Sequence, residues 1–121
     1  MLTQEDVENM VIALPEVTKG YPFGTGVAVY KVADSRQPRA DGDEASGKMF
    51  ALIDEKSKPV RISLKCDPQL AQLLRDKYES VLPGYHLNKK HWNTVLCTGQ
   101  IPEDELRDLI RHSYELVTAT D

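Results

Sequence analysis

The sequence lacks several features that identify particular classes of protein. No apolar run approaches the roughly 18 residues of a membrane-spanning helix, and the first ten residues carry acids but no basic region, unlike a signal peptide. The two cysteines, Cys66 and Cys97, stand far apart, and neither a CxxC nor an HExxH spacing occurs. These absences predict a cytoplasmic protein with reduced thiols, no membrane association, no metal site and no cofactor.

Acidic residues are also missing from one long stretch of the chain. The formal net charge is -4 and the isoelectric point is about 5.4, yet no Asp or Glu lies between Ser80 and Pro102. Within that stretch, residues 84–93 read GYHLNKKHWN and contain the only Trp, two of the three His and two adjacent Lys. The overall acidity argues against broad non-specific binding of nucleic acid. It is compatible with a local basic face, because screened charges act over only about 8 Å at physiological salt.

Hydrophobic periodicity predicts a single α+β domain over residues 1–121, in which an antiparallel β-sheet packs against helices. In chain order the predicted elements are α-β-β-β-α-β-α. The helices cover 3–14, 67–80 and 102–117, and the strands cover 27–32, 48–53, 60–65 and 92–97. Residues 33–47 contain no large apolar side chain, and they are predicted to form a mobile loop.

These elements have clear sidedness in the sequence. Apolar and polar side chains alternate along residues 60–65, so the apolar set is predicted to pack on helices. The polar set, Arg61, Ser63 and Lys65, is predicted to form a basic outer sheet face. Helical periodicity predicts buried stripes that consist of Val7, Met10, Val11 and Leu14 on the first helix, Leu70, Leu73, Leu74 and Tyr78 on the second, and Leu106, Leu109, Ile110, Ser113 and Val117 on the last.

Several sequence blocks stand out together, in order, along nearly the whole chain. They are Phe23-Gly24, Val29 with Lys31, KMFA at 48–51, SLKCDP at 63–68, PGYHLNKKHWNTV at 83–95 and DLIRHSYELV at 108–117. In this combination the chain resembles the MmcQ/YjbR family. The resemblance implies a compact α+β fold, similar to the bacterial frataxin-like (CyaY-like) fold, together with the family's double-wing, DNA-binding description. The 33–47 loop is longer and more charged than the tight connection expected for the first wing.

The leading hypothesis is a monomeric, non-catalytic module that binds DNA through the basic sheet face and the Tyr85–Asn93 loop. Lys and Arg neutralise phosphates, aromatic rings stack on unpaired bases, and side-chain amides hydrogen-bond to base edges. The candidate phosphate-binding residues are Lys65, Lys89 and Lys90, supported by Arg61 and Lys48, and the other candidate nucleic-acid-binding residues are Tyr85, His86, Asn88, His91, Trp92 and Asn93. The competing interpretation is that the Lys side chains are solvated and Trp92 packs the loop onto the body.

Two other classes of function are compatible with the sequence. The acidic loop suits a protein-interaction or regulatory adaptor. A small-anion-binding protein or an enzyme would use a pocket near Lys65, Cys66 and His86, because the start of a helix attracts anions. Against that pocket, Asp67 is predicted to cap the helix, and Cys66 to be a small buried filler. No GxSxG-type context surrounds a nucleophile, so no catalytic residue is assigned.

Overall fold

A six-stranded antiparallel sheet with three helices against one face forms the described part of the chain. The computed structural model describes residues 2–32, 48–84 and 87–118. The helices are α1 (Gln4–Ile12), α2 (Pro68–Lys77) and α3 (Glu103–Thr118), and the strands are β1 (Val17–Gly20), β2 (Val27–Val32), β3 (Lys48–Asp54), β4 (Arg61–Lys65), β5 (Val81–Pro83) and β6 (Trp92–Leu96). The strand order across the sheet is β1-β2-β3-β4-β6-β5, and every neighbouring pair is antiparallel. The predicted α+β class is confirmed.

The two edge strands, β1 and β5, were absent from the sequence prediction. They have only four and three residues, which is too short for a reliable alternation of polar and apolar side chains. α1 ends at Ile12, two residues before the predicted end, and Glu16 then adopts a left-handed backbone conformation with φ of 61°. That turn redirects the chain into β1. The predicted mobile loop, 33–47, lies outside the described residues.

The hydrophobic core lies between the three helices and the inner face of the sheet. Thr3 and Asp67 cap the first two helices as predicted. The predicted stripe of α3 is buried at every position: Leu106, Leu109, Ile110, Ser113 and Val117. On α2 the prediction for Leu73 is wrong, because Leu73 is 64% exposed while Ala71 and Leu74 are buried. Residues 71, 74 and 78 share one side of the helix, and position 73 points away from it.

Within the described residues, no helix combines the length and the apolar character needed to cross a bilayer. The longest of them, α3, has 16 residues and begins with Glu103, Asp104 and Glu105.

A β-bulge interrupts the centre of the sheet. Tyr30 of β2 pairs with Ala51, whereas the following residue, Lys31, pairs with Met49, so β3 carries one extra residue at position 50. On this side of the sheet, the backbone pairing between β3 and β4 ends at Ala51 and Leu64. Backbone groups just beyond that pair must therefore find partners outside the ladder.

The Ser113 hydroxyl of α3 supplies those partners. It donates to the Phe50 carbonyl at 2.6 Å and accepts from the Lys65 backbone amide at 2.9 Å. Ser113 is fully buried. Beside it, the Phe50 ring packs edge-on against Tyr114 of α3, with ring centroids 5.5 Å apart. One buried hydroxyl thereby joins α3, β3 and β4.

Replacing Ser113 by alanine is expected to lower the free energy of unfolding by about 1–3 kcal/mol, because two buried backbone groups lose their partner. Urea denaturation followed by circular dichroism measures the change. The matched control is Thr25→Ala, which removes a hydroxyl from an exposed residue and should cost less than about 0.5 kcal/mol. Equal losses for the two variants would contradict the bridging role of Ser113.

A polar cluster joins α1 to the edge of the sheet. Glu8 Oε2 pairs with Lys19 Nζ at 2.5 Å and accepts a hydrogen bond from the Tyr30 hydroxyl at 2.7 Å. Lys19, and after it the Tyr30 hydroxyl, holds the pKa of Glu8 below its ordinary value. Burial, followed by the neighbouring Glu8, raises the pKa of Tyr30. The cluster is therefore stabilised by an ionised Glu8.

The substitution Glu8→Gln is expected to destabilise the fold by about 1 kcal/mol at pH 7, because the ion pair is lost. Since the pKa of Glu8 is lowered in the folded state, this stabilisation is complete above the ordinary glutamate pKa of about 4.3 and disappears as the pH falls further. The difference between wild type and variant should therefore shrink in acid. Urea denaturation across this pH range measures it.

The control for this prediction is the same substitution in a Lys19→Gln background, where the ion-pair partner of Glu8 is already absent. Glu8→Gln should then have a much smaller effect at pH 7, as a double-mutant cycle would detect. A wild-type advantage that stays constant from neutral to acidic pH would count against the ion pair as its source.

Candidate functional site

The sheet face turned away from the helices, called here the outer face, carries an apolar cluster. Buried Val29, Leu52 and Trp92 form its centre. The partly buried side chains that pack against them are Val27, Met49 and Leu87. Arg61, Ser63 and Lys65 do lie on this face, since they pair with outward-facing neighbours. The outer face is thus apolar at its centre and basic only in places, whereas the sequence predicted a generally basic surface.

A cavity of about 290 Å³ opens on the outer face. Its floor is a cross-strand row in which Leu52 pairs with Ser63 and Ser63 pairs with Thr94. The Ser63 and Thr94 hydroxyl oxygens lie 2.8 Å apart. The described residues that line the cavity are Phe23, Val27, Leu52, Asp54, Arg61, Ser63, Leu87 and Thr94. Half of these residues are apolar. The two charged residues, Asp54 and Arg61, are direct neighbours across β3 and β4.

The turn formed by residues 88–91, called here the 88–91 turn, leads into β6. The Asn88 side-chain oxygen accepts from the backbone amides of Lys90 at 2.9 Å and His91 at 3.3 Å. The Asn88 carbonyl accepts from the Trp92 amide at 2.9 Å. Asn88 therefore shapes the turn through its own backbone contacts, as asparagine commonly does. Lys89 and Lys90 are left exposed at its tip.

Arg75 of α2 holds this turn in place through hydrogen bonds. Its Nε donates to Asn93 Oδ1 at 2.7 Å, and its Nη2 donates to the Trp92 carbonyl at 3.2 Å and to the Lys89 carbonyl. Asn93 in turn donates to the Ala71 carbonyl at 3.3 Å. The basic turn, the start of β6 and α2 are thus held together by a charged donor with three acceptors.

A close backbone approach also fixes the entry to the turn. The Gly84 amide donates to the Trp92 carbonyl at 2.9 Å. A side chain at position 84 would place its Cβ only 2.7 Å from Trp92 Cβ. Glycine is therefore required where β5 meets β6.

The structure brings some of the predicted cations together and separates others. Lys65 pairs with Trp92 across the sheet, and the His91 carbonyl accepts from the Cys66 amide at 2.7 Å, so Lys65 lies beside the 88–91 turn. Arg61 lies four residues along β4, about 13 Å away. Lys48 is exposed at the start of β3. Lys65, Lys89, Lys90 and His91 therefore form one group, and Arg61 belongs to the cavity.

Two residues that were predicted to contact bases are buried in the structure. Trp92 is only 8% exposed and packs in the outer-face cluster, so little of its ring is accessible for stacking on a base. Asn93 is 2% exposed, and both ends of its amide bind protein groups, so it cannot read a base edge. Tyr85 and His86 lie outside the described residues.

The predicted anion pocket at the start of α2 is also not formed by the described residues. Asp67 Oδ2 accepts from the Gln69 and Leu70 amides and so occupies the helix start. Cys66 is buried, and burial raises the pKa of its thiol to about 11. The void next to Cys66 measures about 10 Å³, roughly the minimum for a single water. Burial therefore disfavours the thiolate, and Cys66 packs in the core cluster as a small buried side chain, in agreement with its interpretation as a filler.

No three His, Cys, Asp or Glu side chains in residues 2–32, 48–84 and 87–118 are grouped closely enough to hold a metal ion. His112 has a structural contact, since its Nε2 accepts from the Asp67 backbone amide at 3.2 Å.

Sequence reasoning missed Arg75 and the cavity. The available signal for Arg75 was its position four residues after Ala71, on the same side of α2 as the core-facing residues. An arginine at the edge of an apolar stripe indicates a bound carbonyl or carboxylate. The cavity had no comparable signal, because its lining comes from several strands and two loops.

Together, a six-stranded antiparallel sheet, three helices on one face and a basic turn before the sixth strand define a class of small α+β proteins. The YjbR family profile matches residues 12–116, and the chain belongs to the YjbR family. The family resemblance noted in the sequence is thereby confirmed.

Individual relatives agree with this assignment. The Escherichia coli O157:H7 protein YbdF is 38% identical over 113 residues, which cover 93% of this chain and 82% of YbdF. The E. coli K12 protein YjbR is 40% identical over 67 residues, which cover 55% of this chain and 57% of YjbR. Their names state no ligand or reaction, so they identify the family and leave the function open.

Solved structures show the same fold. The crystal structure of the Deinococcus radiodurans protein DR2400 matches 99% of this chain and 81% of its own, with a TM-score of 0.85 and 38% identity. A crystal structure of a Pseudomonas syringae protein matches 97% of this chain and 99% of its own, with a TM-score of 0.69 and 28% identity.

The substitution Arg75→Met keeps much of the aliphatic stem of the side chain and removes its donors. It is expected to cost about 1–3 kcal/mol of stability, because buried acceptors lose a charged partner. Amide hydrogen exchange should accelerate most at residues 88–93, as NMR would show. The control, Lys77→Met, removes the same charge from an exposed site on α2. Uniform acceleration throughout the protein, or none at the 88–91 turn, would contradict the bracing role.

Proposed function

We propose that this protein is a monomeric, non-catalytic, cytoplasmic module that binds DNA through the phosphate backbone. The contact surface is the 88–91 turn together with Lys65. The observation that supports the proposal is the exposure of Lys89 and Lys90 on a turn whose backbone is held by Arg75 and Asn88. A braced turn presents its cations at low entropic cost, because the backbone is already ordered before binding.

The chemistry of this surface favours phosphates over bases. Lysine is a compact charge that pairs with a phosphate oxygen and releases a condensed counterion. The two side chains best suited to read or stack on bases, Asn93 and Trp92, are buried. Binding through the remaining groups would therefore be largely independent of sequence. It would also be weak at physiological salt, since the chain carries a formal net charge of -4.

The double variant Lys89→Ala, Lys90→Ala is expected to weaken binding of a labelled oligonucleotide about tenfold at about 50 mM salt, because it removes two phosphate contacts. For duplex DNA, the slope of log affinity against log salt should fall by nearly 2. Fluorescence anisotropy at about 50 and about 200 mM salt, with single- and double-stranded DNA, measures both quantities.

The charge-matched control is Lys56→Ala, Lys58→Ala, which removes two exposed lysines from the turn between β3 and β4. This control should bind as wild type does. Equal loss in both double variants would mean that net charge alone governs binding, and it would contradict the assigned surface. Unchanged binding in the Lys89, Lys90 variant, or no binding by wild type at low salt, would overturn the proposal and favour a protein partner.

A further inference from the structure

The outer-face cavity is separate from the surface that the DNA proposal uses. Its charged residues, Asp54 and Arg61, are cross-strand neighbours, and Arg61 lies at the end of β4 that is remote from Lys65. The distance along the strand is about 13 Å. The cavity also differs in character, since aromatic and aliphatic side chains make up half of its lining residues. A ligand of this cavity would therefore differ chemically from DNA.

The apolar part of the cavity limits that ligand in size and kind. Phe23 and Leu87 flank the opening from two loops, and Leu52 lies on the floor. A volume of about 290 Å³ is at the lower end for small-molecule sites, which span roughly 300–1,000 Å³. It suits one ring or a short alkyl chain. Phe23 is 67% exposed, and a bound apolar group would cover it.

Arg61 supplies the polar end of the site. Within the described residues, its guanidinium makes no hydrogen bond and no ion pair. A guanidinium presents two parallel N–H donors, which match the two oxygens of a carboxylate. Its location at the edge of an apolar cavity is thus suited to hold the head group of a molecule whose body enters the cavity.

Asp54 restricts the head group further. It is the direct neighbour of Arg61 across the sheet, and its Oδ1 accepts from the Lys56 backbone amide at 3.0 Å. A carboxylate beside the arginine repels a doubly charged group, such as a phosphate monoester, more strongly than a single negative charge. An ammonium group next to the ligand carboxylate would instead be attracted to Asp54.

We propose that the outer-face cavity binds a small carboxylic acid with an apolar body, with the carboxylate on Arg61 and the body against Phe23, Leu52 and Leu87. Two sources share this chemistry: a plain apolar carboxylic acid, and an α-amino acid with an apolar side chain, whose ammonium group would face Asp54. The two are distinguished by whether an amino group beside the carboxylate strengthens or weakens binding.

The protein carries its own reporter for this site. Trp92 is the only tryptophan, and it packs in the same cluster as Leu52, which lies on the cavity floor. Occupation of the cavity should therefore change the tryptophan fluorescence. Amide shifts in NMR spectra at Leu52, Ser63 and Leu87 would locate the binding independently.

The experiment titrates the protein with molecules that share one phenylpropyl body and differ in head group. They are 3-phenylpropanoate, 3-phenylpropanol, 3-phenylpropylamine and phenylalanine. We expect saturable binding of 3-phenylpropanoate with a Kd of about 1 mM or tighter, given its small number of atoms. The alcohol and the amine should bind at least about fivefold more weakly, because they cannot pair with the guanidinium. Tighter binding of phenylalanine would identify the amino acid as the source, and weaker binding the plain acid.

Two substitutions test the residues. Arg61→Gln should weaken 3-phenylpropanoate about five- to tenfold and leave the alcohol unchanged, whereas Phe23→Ser should weaken both. The charge-matched control, Arg111→Gln, lies at an exposed site on α3, among the helices that cover the inner face, and should have no effect. Circular dichroism and thermal unfolding confirm that each variant is folded.

Three results would overturn the proposal. The first is no saturable change in fluorescence or amide shifts up to about 10 mM ligand. The second is equal affinity for all four molecules together with no effect of Arg61→Gln on binding. The cavity would then be an apolar cleft that does not select for a carboxylate. The third is an equal effect of Arg61→Gln and Arg111→Gln, which would attribute the binding to net charge.

Discussion

The hydroxyl of Ser113 is the contact on which the arrangement of the sheet and α3 depends. The bulge at Phe50 leaves backbone groups on two strands without ladder partners, and an unpaired buried carbonyl or amide would cost about as much as a lost hydrogen bond. Because one serine on α3 binds both groups, the helix cannot slide along the sheet without breaking them. This register sets where α3 covers the inner face of the sheet.

The outer face combines three features that do not belong to the inner core. A cluster around Trp92 keeps its centre apolar, a cavity opens beside that cluster, and cations gather where β6 begins. The positive charges are divided between the two ends of β4, with Lys65 at one and Arg61 at the other. Two different ligands could therefore be held without competing for the same side chains.

Much of this architecture follows from the sequence, and the part that does not has identifiable physical causes. Helical periodicity located every buried residue of α3, since a long amphipathic helix repeats its signal several times. The strands β1 and β5 are too short to repeat any signal. The burial of Trp92 was one of two interpretations, and only the strand register decides between them. The contacts of Arg75 join α2 to residues 14 to 18 positions away, which no local pattern records.

Those contacts of Arg75 also make α2 and the 88–91 turn a single cooperative unit. While the guanidinium binds the Lys89 and Trp92 carbonyls, the turn cannot open and the helix cannot shift without breaking these hydrogen bonds. Any molecule that binds the turn in its present shape must therefore strengthen the docking of α2, and by thermodynamic reciprocity anything that loosens α2 must weaken that molecule's affinity. The helix, although it contributes none of the exposed lysines of the turn, is in this sense part of the binding equilibrium.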